Sequence, residues 1–170
     1  MRAALLGVAL AAPAAAQDGL VFDPAPVAAC LEAGMRGGVP PDCIGAASGR
    51  CVEESEGGFT TIGTTDCTNR ETEAWDRALN REYRLLREDF EAADAAAVGT
   101  GAGVGIDRSD ALRDAQRAWI AFRDADCTAR YAQYQDGSIR SLVGTSCRLD
   151  HTARRALELR SMRAGLDGDL

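Results

Sequence analysis

A chain of 170 residues that is 46% hydrophobic carries apolar matter for one modest core, which argues against both a multidomain machine and a chain that is disordered throughout. Its 19 basic residues are all arginine against 26 acids, a formal charge of −7, and the arginines are scattered among carboxylates, as in Arg87-Glu88-Asp89 and Arg123-Asp124. No basic stripe exists to release counterions, so a nucleic-acid partner is excluded, and with His151 as the single histidine so is any site built on two imidazoles.

Residues 1–16 read as a secretory signal. Met1-Arg2 supplies a positive start, Ala3 to Ala12 an apolar run, and Ala14-Ala15-Ala16 a small-residue cleavage signature before Gln17. The run is too short to span a bilayer, no later stretch approaches about 20 apolar residues, and no cysteine follows the signal to take a lipid. The mature chain is therefore expected to begin at Gln17 and to lie in the periplasm or the medium without a membrane anchor. Its charge would be −8, because cleavage removes Arg2 and no acid.

Cys30, Cys43, Cys51, Cys67, Cys127 and Cys147 make an even set, which in an oxidising compartment predicts disulfides. A zinc site would need closer pairs than the shortest spacing here, the eight residues from Cys43 to Cys51, so neither metal nor other cofactor is expected. Six cysteines allow 15 connectivities. Residues equidistant from a hairpin tip lie opposite each other, and the turn signals sit at the midpoints of sequential pairs. Gly137 lies midway between Cys127 and Cys147, Phe59 after Gly57-Gly58 midway between Cys51 and Cys67, and Arg36-Gly37 between Cys30 and Cys43. Sequential pairing is the geometric favourite, and closing the last loop is worth roughly 3 kcal/mol on the chain-entropy model.

After Asp23-Pro24-Ala25-Pro26, residues 27–35 read as a short helix ended by Gly37-Gly38, and residues 42–54 as a second. Residues 57–65, rich in glycine and threonine, are expected to form a loop. A long helix then starts at Asp66, with Thr68 and Glu71 as a capping box and a stripe of Trp75, Leu79, Tyr83, Leu86, Phe90, Ala93 and Ala97 at helical spacing. About 30 residues give it a length of about 45 Å. The glycine-rich run from Gly99 to Gly105 fits neither phosphate-loop pattern and reads as an interhelical connection. Ser109 is the expected cap of the next helix, whose stripe is Leu112, Ala115, Trp119 and Phe122 and which runs to about Tyr134. The last helix, from about Ser138, carries Leu142, Leu149 and Ala156 and fades from Gly165. The expected architecture is an all-α bundle of three long helices plus a short N-terminal helical pair, stapled by disulfides. It divides into a signal peptide (1–16), a disulfide-tied N-terminal segment (17–65), a helical domain (66–163) and a flexible tail (164–170).

The order Cys67, Glu71, Trp75-Asp76, Leu79-Asn80, Tyr83, then Ala115-Gln116 with Trp119, Phe122-Arg123-Asp124 and Cys127, then Gly137, Cys147, Thr152 and Arg155 resembles the LprI-like lysozyme-inhibitor domain of bacterial envelope proteins, over about Cys51 to Leu159. The resemblance implies a small helical exported domain, with lysozyme inhibition as the named activity of some members. The Cys30 to Cys43 element is additional to the family pattern, and the lipid-attachment cysteine is missing.

Gln116, Trp119, Arg123 and Cys127 follow at spacings of three and four, so they share a helix face. If Cys127 faces the last helix, Arg123 needs a carboxylate there, and Asp76 or Asp150 is the expected acceptor. Trp75, Asp76, Asn80, Tyr83, Gln116, Trp119, Arg123 and Asp124 read as a network fixing helix register, with a recognition surface as the competing reading. No catalytic residue is assigned, since Asp150 and Thr152 beside His151 do not face it on a helix. The function expected is inhibition of lysozyme-type muramidases by protein binding, an anionic body attracting a basic enzyme, with Phe59, Thr60, Thr61 and Ile62 as the candidate inhibitory loop. The alternative is a noncatalytic envelope module for another protein partner.

Overall fold

The computed structural model describes residues 19–35, 42–100, 105–134 and 136–167, and the expected signal at 1–16 lies outside them. Five helices follow in chain order: α1 (Ala25–Ala33), α2 (Ala46–Glu54), α3 (Thr61–Thr100), α4 (Arg108–Ala132) and α5 (Arg140–Asp167). No strand occurs among the described residues, and the all-α fold with three long helices and a short N-terminal pair is the one expected.

Several helix ends have a local cause. The α1 helix opens behind Pro24 and stops at Gly34, whose φ of 66° leaves the helical region while its N–H still bonds to the Cys30 carbonyl. That is earlier than the expected stop at Gly37-Gly38. The α2 helix starts at Ala46, not Asp42, because the chain first makes a turn through residues 42–45. Asp107, not Ser109, caps α4, its side chain accepting from the Asp110 N–H at 2.7 Å. Hydrogen bonds from that amide and from the Ser109 hydroxyl hold the Asp107 carboxyl below its ordinary range. At the C-terminus α5 continues through Asp167, so the tail expected from 164 is helical over most of its length.

The largest correction concerns α3. It starts at Thr61 instead of Asp66 and runs 40 residues, about 60 Å at 1.5 Å per residue, so the expected division at 65/66 falls inside a helix. Thr68 is therefore no cap. Its hydroxyl donates to the Thr64 carbonyl at 2.7 Å, one turn back.

α3 packs most extensively on α5, and α4 closes over that pair mainly through α5. The seam of α3 is the one read from the sequence, with Trp75, Leu79 and Leu86 buried and Tyr83 and Phe90 packed against them. From α5 come Leu149, Ala153, Ala156, Leu157 and Leu159, and α1 adds Val27 and Leu31. The stripe expected on α4 is rotated. Leu112 is buried, but Ala115 is exposed and Phe122 is 58% exposed, while Gln116 and Cys127 face inward. The rotation follows from Gln116, whose Oε1 accepts from Arg155 Nε of α5 at 3.0 Å.

The cysteines pair as Cys30–Cys43, Cys51–Cys67 and Cys127–Cys147, the sequential connectivity that the turn midpoints favoured. They staple the region before α2 to α1, α2 to α3, and α4 to α5.

Candidate functional site

Exposed apolar side chains occur at both ends of the bundle, with Val98 and Ile106 between α3 and α4 at one end and a larger group at the other. Phe59 and Ile62 are 79% and 75% exposed at the entry to α3, and Tyr131, Tyr134 and Ile139 lie exposed where α4 ends and α5 begins. A cleft of about 380 Å³ joins these elements, with Thr65 of α3 facing Thr128 and Tyr131 of α4 and Gly144 and Arg148 of α5.

The tip carrying Phe59 and Ile62 is a hydrogen-bonded turn that runs into α3, so the loop expected over residues 57–65 is found only as far as Thr60. Only Phe59 and Thr60 of the four candidate residues precede α3, and Thr61 and Ile62 form its first turn. Thr60 caps the helix, its Oγ1 accepting from the Gly63 N–H at 3.0 Å and donating to the Gly57 carbonyl at 2.7 Å. Thr64 Oγ1 reaches back to the Gly58 carbonyl at 2.9 Å. Two glycines let the backbones touch. A Cβ on Gly63 would stand 2.2 Å from the Gly57 carbonyl oxygen, and one on Gly58 2.2 Å from that of Val52. Both obstacles are backbone, so neither can swing aside. Gly63→Ala should lower stability by about 2 kcal/mol, measured by chemical denaturation, although alanine favours helix at an open site.

Charge surrounds this tip. Glu53, Glu54, Glu56 and Asp66 are exposed, and between Cys51 and Asn69 there is no basic residue.

Behind the tip, Glu71 is fully buried and accepts three hydrogen bonds, from Gly45 N–H at 2.8 Å, Ser48 N–H at 2.7 Å and Trp75 Nε1 at 3.1 Å. Gly45 and Ser48 are the N-cap and third residues of α2, so a carboxylate from α3 supplies the cap that α2 lacks in its own sequence. A second buried carboxylate, Glu82, ties α3 to α5 through Arg163 at 3.1 Å and also takes Arg81 of its own helix at 3.1 Å.

The residues singled out from the sequence spread over several environments. Trp75 and Gln116 are buried between helices, and Tyr83 packs against the core. Asp76 and Asn80 are exposed and bond to each other at 2.9 Å. Arg123 takes neither expected acceptor. It pairs with the adjacent Asp124 at 2.9 Å and lies 5.0 Å over the Trp119 ring, while Asp150 is held by Arg154 at 2.7 Å.

His151 has a specific partner. Its Nε2 lies 2.9 Å from Asp126 Oδ2, and Phe122 stands edge-on to its ring at 5.5 Å. Asp126, Cys127, Cys147 and His151 bring four potential ligand atoms within 4.8 Å of one another, but both sulfurs are bonded to each other, so no thiolate is available to hold a metal. The His151 hydrogen bond, and after it that of Arg130, hold the Asp126 carboxyl below its ordinary value of 3.8. A lowered folded value stabilises above the unfolded one, and that stabilisation is lost as pH falls through the lowered one. Asp126→Asn should therefore flatten the decline of the thermal midpoint between about pH 5 and pH 2.5, a window set by the carboxylate range. An unchanged slope would exclude this pair as a source of acid sensitivity.

With the helix order, the three staples and the buried Glu71 and Trp75 in place, the comparisons with known proteins fall on the same region. Residues 51–159 match the family model described as lysozyme inhibitor LprI. The chain belongs to this family. An uncharacterized protein of Rhizobium meliloti (strain 1021) is 32% identical over 101 residues, covering 56% of this chain and 68% of that one. No solved structure matches the chain. The matched part begins at the first half-cystine of α2 and ends at Leu159 of α5, so within the LprI family it is the α2–α5 unit that is shared, and the Cys30–Cys43 staple with α1 lies outside it.

Proposed function

We propose that this LprI-family protein is exported to the periplasm or the medium and inhibits lysozyme-type muramidases by binding them through the end of the bundle that carries Phe59 and Ile62. The observation that carries the reading is an exposed apolar pair held on a hydrogen-bonded turn, with exposed Glu53, Glu54, Glu56 and Asp66 close by in the chain, in a family described as lysozyme inhibitors. The two side chains supply desolvatable anchors, the acidic surround steers a basic partner toward them, and the glycine-packed turn has little freedom left to lose on binding. Three disulfides support an extracytoplasmic location, and no helix among the described residues is long and apolar enough to cross a membrane.

The test is lysis of cell walls followed by turbidity, with lysozymes of several classes and the oxidised protein at micromolar concentration. Inhibition of at least one class is expected. Its association rate should fall between about 0.01 M and 0.15 M salt, as the Debye length shortens from about 30 Å to about 8 Å, while inhibition persists. Absence of inhibition of every class, or binding that vanishes at the higher salt, would favour an envelope module with another protein partner.

A further inference from the structure

A groove between α1 and α3 gathers positive charge on an otherwise acidic molecule. Arg77, Arg81 and Arg84 succeed one another at spacings of four and three along α3, so they share a face, and Arg160 of α5 joins them around a cleft of about 480 Å³. Buried Glu82 takes Arg81 at 3.1 Å and stands 4.0 Å from Arg160. Arg77 and Arg84 are exposed and have no ion-pair partner among the described residues, and Glu32 is the one carboxylate among those lining the cleft. Glu82 offsets Arg81 and Arg160, which leaves Arg77 and Arg84 with Glu32 as the one acid on the cleft wall. The floor is aliphatic. Val27 and Leu31 from α1 meet Ala74 and Ala78 from α3, with no aromatic ring on which a base could stack.

We propose that this groove binds a small aliphatic carboxylate, with the head group drawn to the arginine row and the tail laid along the floor. Guanidinium matches carboxylate geometry, the floor matches a hydrocarbon chain, and the volume lies in the small-molecule range of about 300–1,000 Å³. A macromolecular anion would have to approach a chain of net charge −7 along its whole length, whereas a small one enters the cleft alone. Arg77 lies twelve residues beyond Thr65, about 18 Å along α3, so this site is separate from the tip and stands whether or not the protein inhibits a lysozyme.

Calorimetric titration of the full oxidised protein with octanoate, hexanoate, acetate and octanol tests the proposal. Octanoate should bind saturably, hexanoate about 15-fold more weakly, since each buried methylene is worth about fourfold, and acetate without saturation. The double variant Arg77→Ala/Arg84→Ala should weaken octanoate at least about tenfold, with circular dichroism and thermal midpoint unchanged, because both side chains are exposed and make no ion pair among the described residues. Three results would overturn it: no saturable octanoate binding up to about 5 mM, octanol bound as tightly as octanoate, or equal octanoate affinity in the double variant.

Discussion

Replacing Phe59 and Ile62 together by serine should weaken inhibition of a susceptible lysozyme by about 100-fold or more, while the thermal midpoint stays within about 2 °C of the parent. Anchors at the centre of an interface are worth about 2 kcal/mol each or more, and two of them exceed a hundredfold in affinity. Stability is spared because the side chains are 79% and 75% exposed and touch little that folding has to preserve. Deleting residues 59–62 would be a poorer experiment, since it also removes Thr60, whose hydroxyl caps α3. Inhibition curves and denaturation of the same preparation separate the two effects. A folded double variant that inhibits like the parent would move the binding surface away from this tip.

Glu71→Ala should be the most damaging single change to the fold, at about 3–5 kcal/mol. It strands the Gly45 and Ser48 N–H groups and the Trp75 indole N–H, of which the last two are buried and the first half-buried, and each buried donor left unpaired costs about 1–3 kcal/mol. The remaining methyl also leaves a cavity beside Trp75. Glu71→Gln keeps an acceptor oxygen and should cost less than alanine. Urea denaturation of both variants checks the order, and a loss under 1 kcal/mol for alanine would show that water replaces the carboxylate. Because α2 enters the disulfide that anchors the tip, Glu71→Ala should also reduce inhibition, through disorder of the tip and not through lost contact.

Periodicity and spacing made the helices, the α3 seam and the disulfide pairing legible, because those depend on neighbours along the chain. The registers that bring Glu71 to α2 and Asp126 to His151 were legible only in part. Ser48 lies one turn before Cys51 and Glu71 one turn after Cys67, Asp126 adjoins Cys127, and His151 lies one turn after Cys147. Once the pairing is known, those neighbours must meet. The signal was therefore present, but the capping-box reading had already assigned Glu71 to Thr68 of its own helix.

Two features were decided by packing alone. The start of α3 at Thr61 contradicts the glycine and threonine content of residues 57–65, and it holds because Gly58 and Gly63 allow backbone contacts that no side chain would tolerate. The exposure of Phe122 contradicts the apolar stripe of α4, and it holds because the face shared by Gln116 and Cys127 turns inward, where Arg155 on α5 offers Gln116 a partner. Composition and spacing along the chain were enough for the helical class and the cysteine framework, and the motif residues carried the resemblance to the family. Which apolar side chains were left in water, and which arginines were left without a carboxylate, depended on contacts between residues far apart in sequence, and no local pattern encodes those.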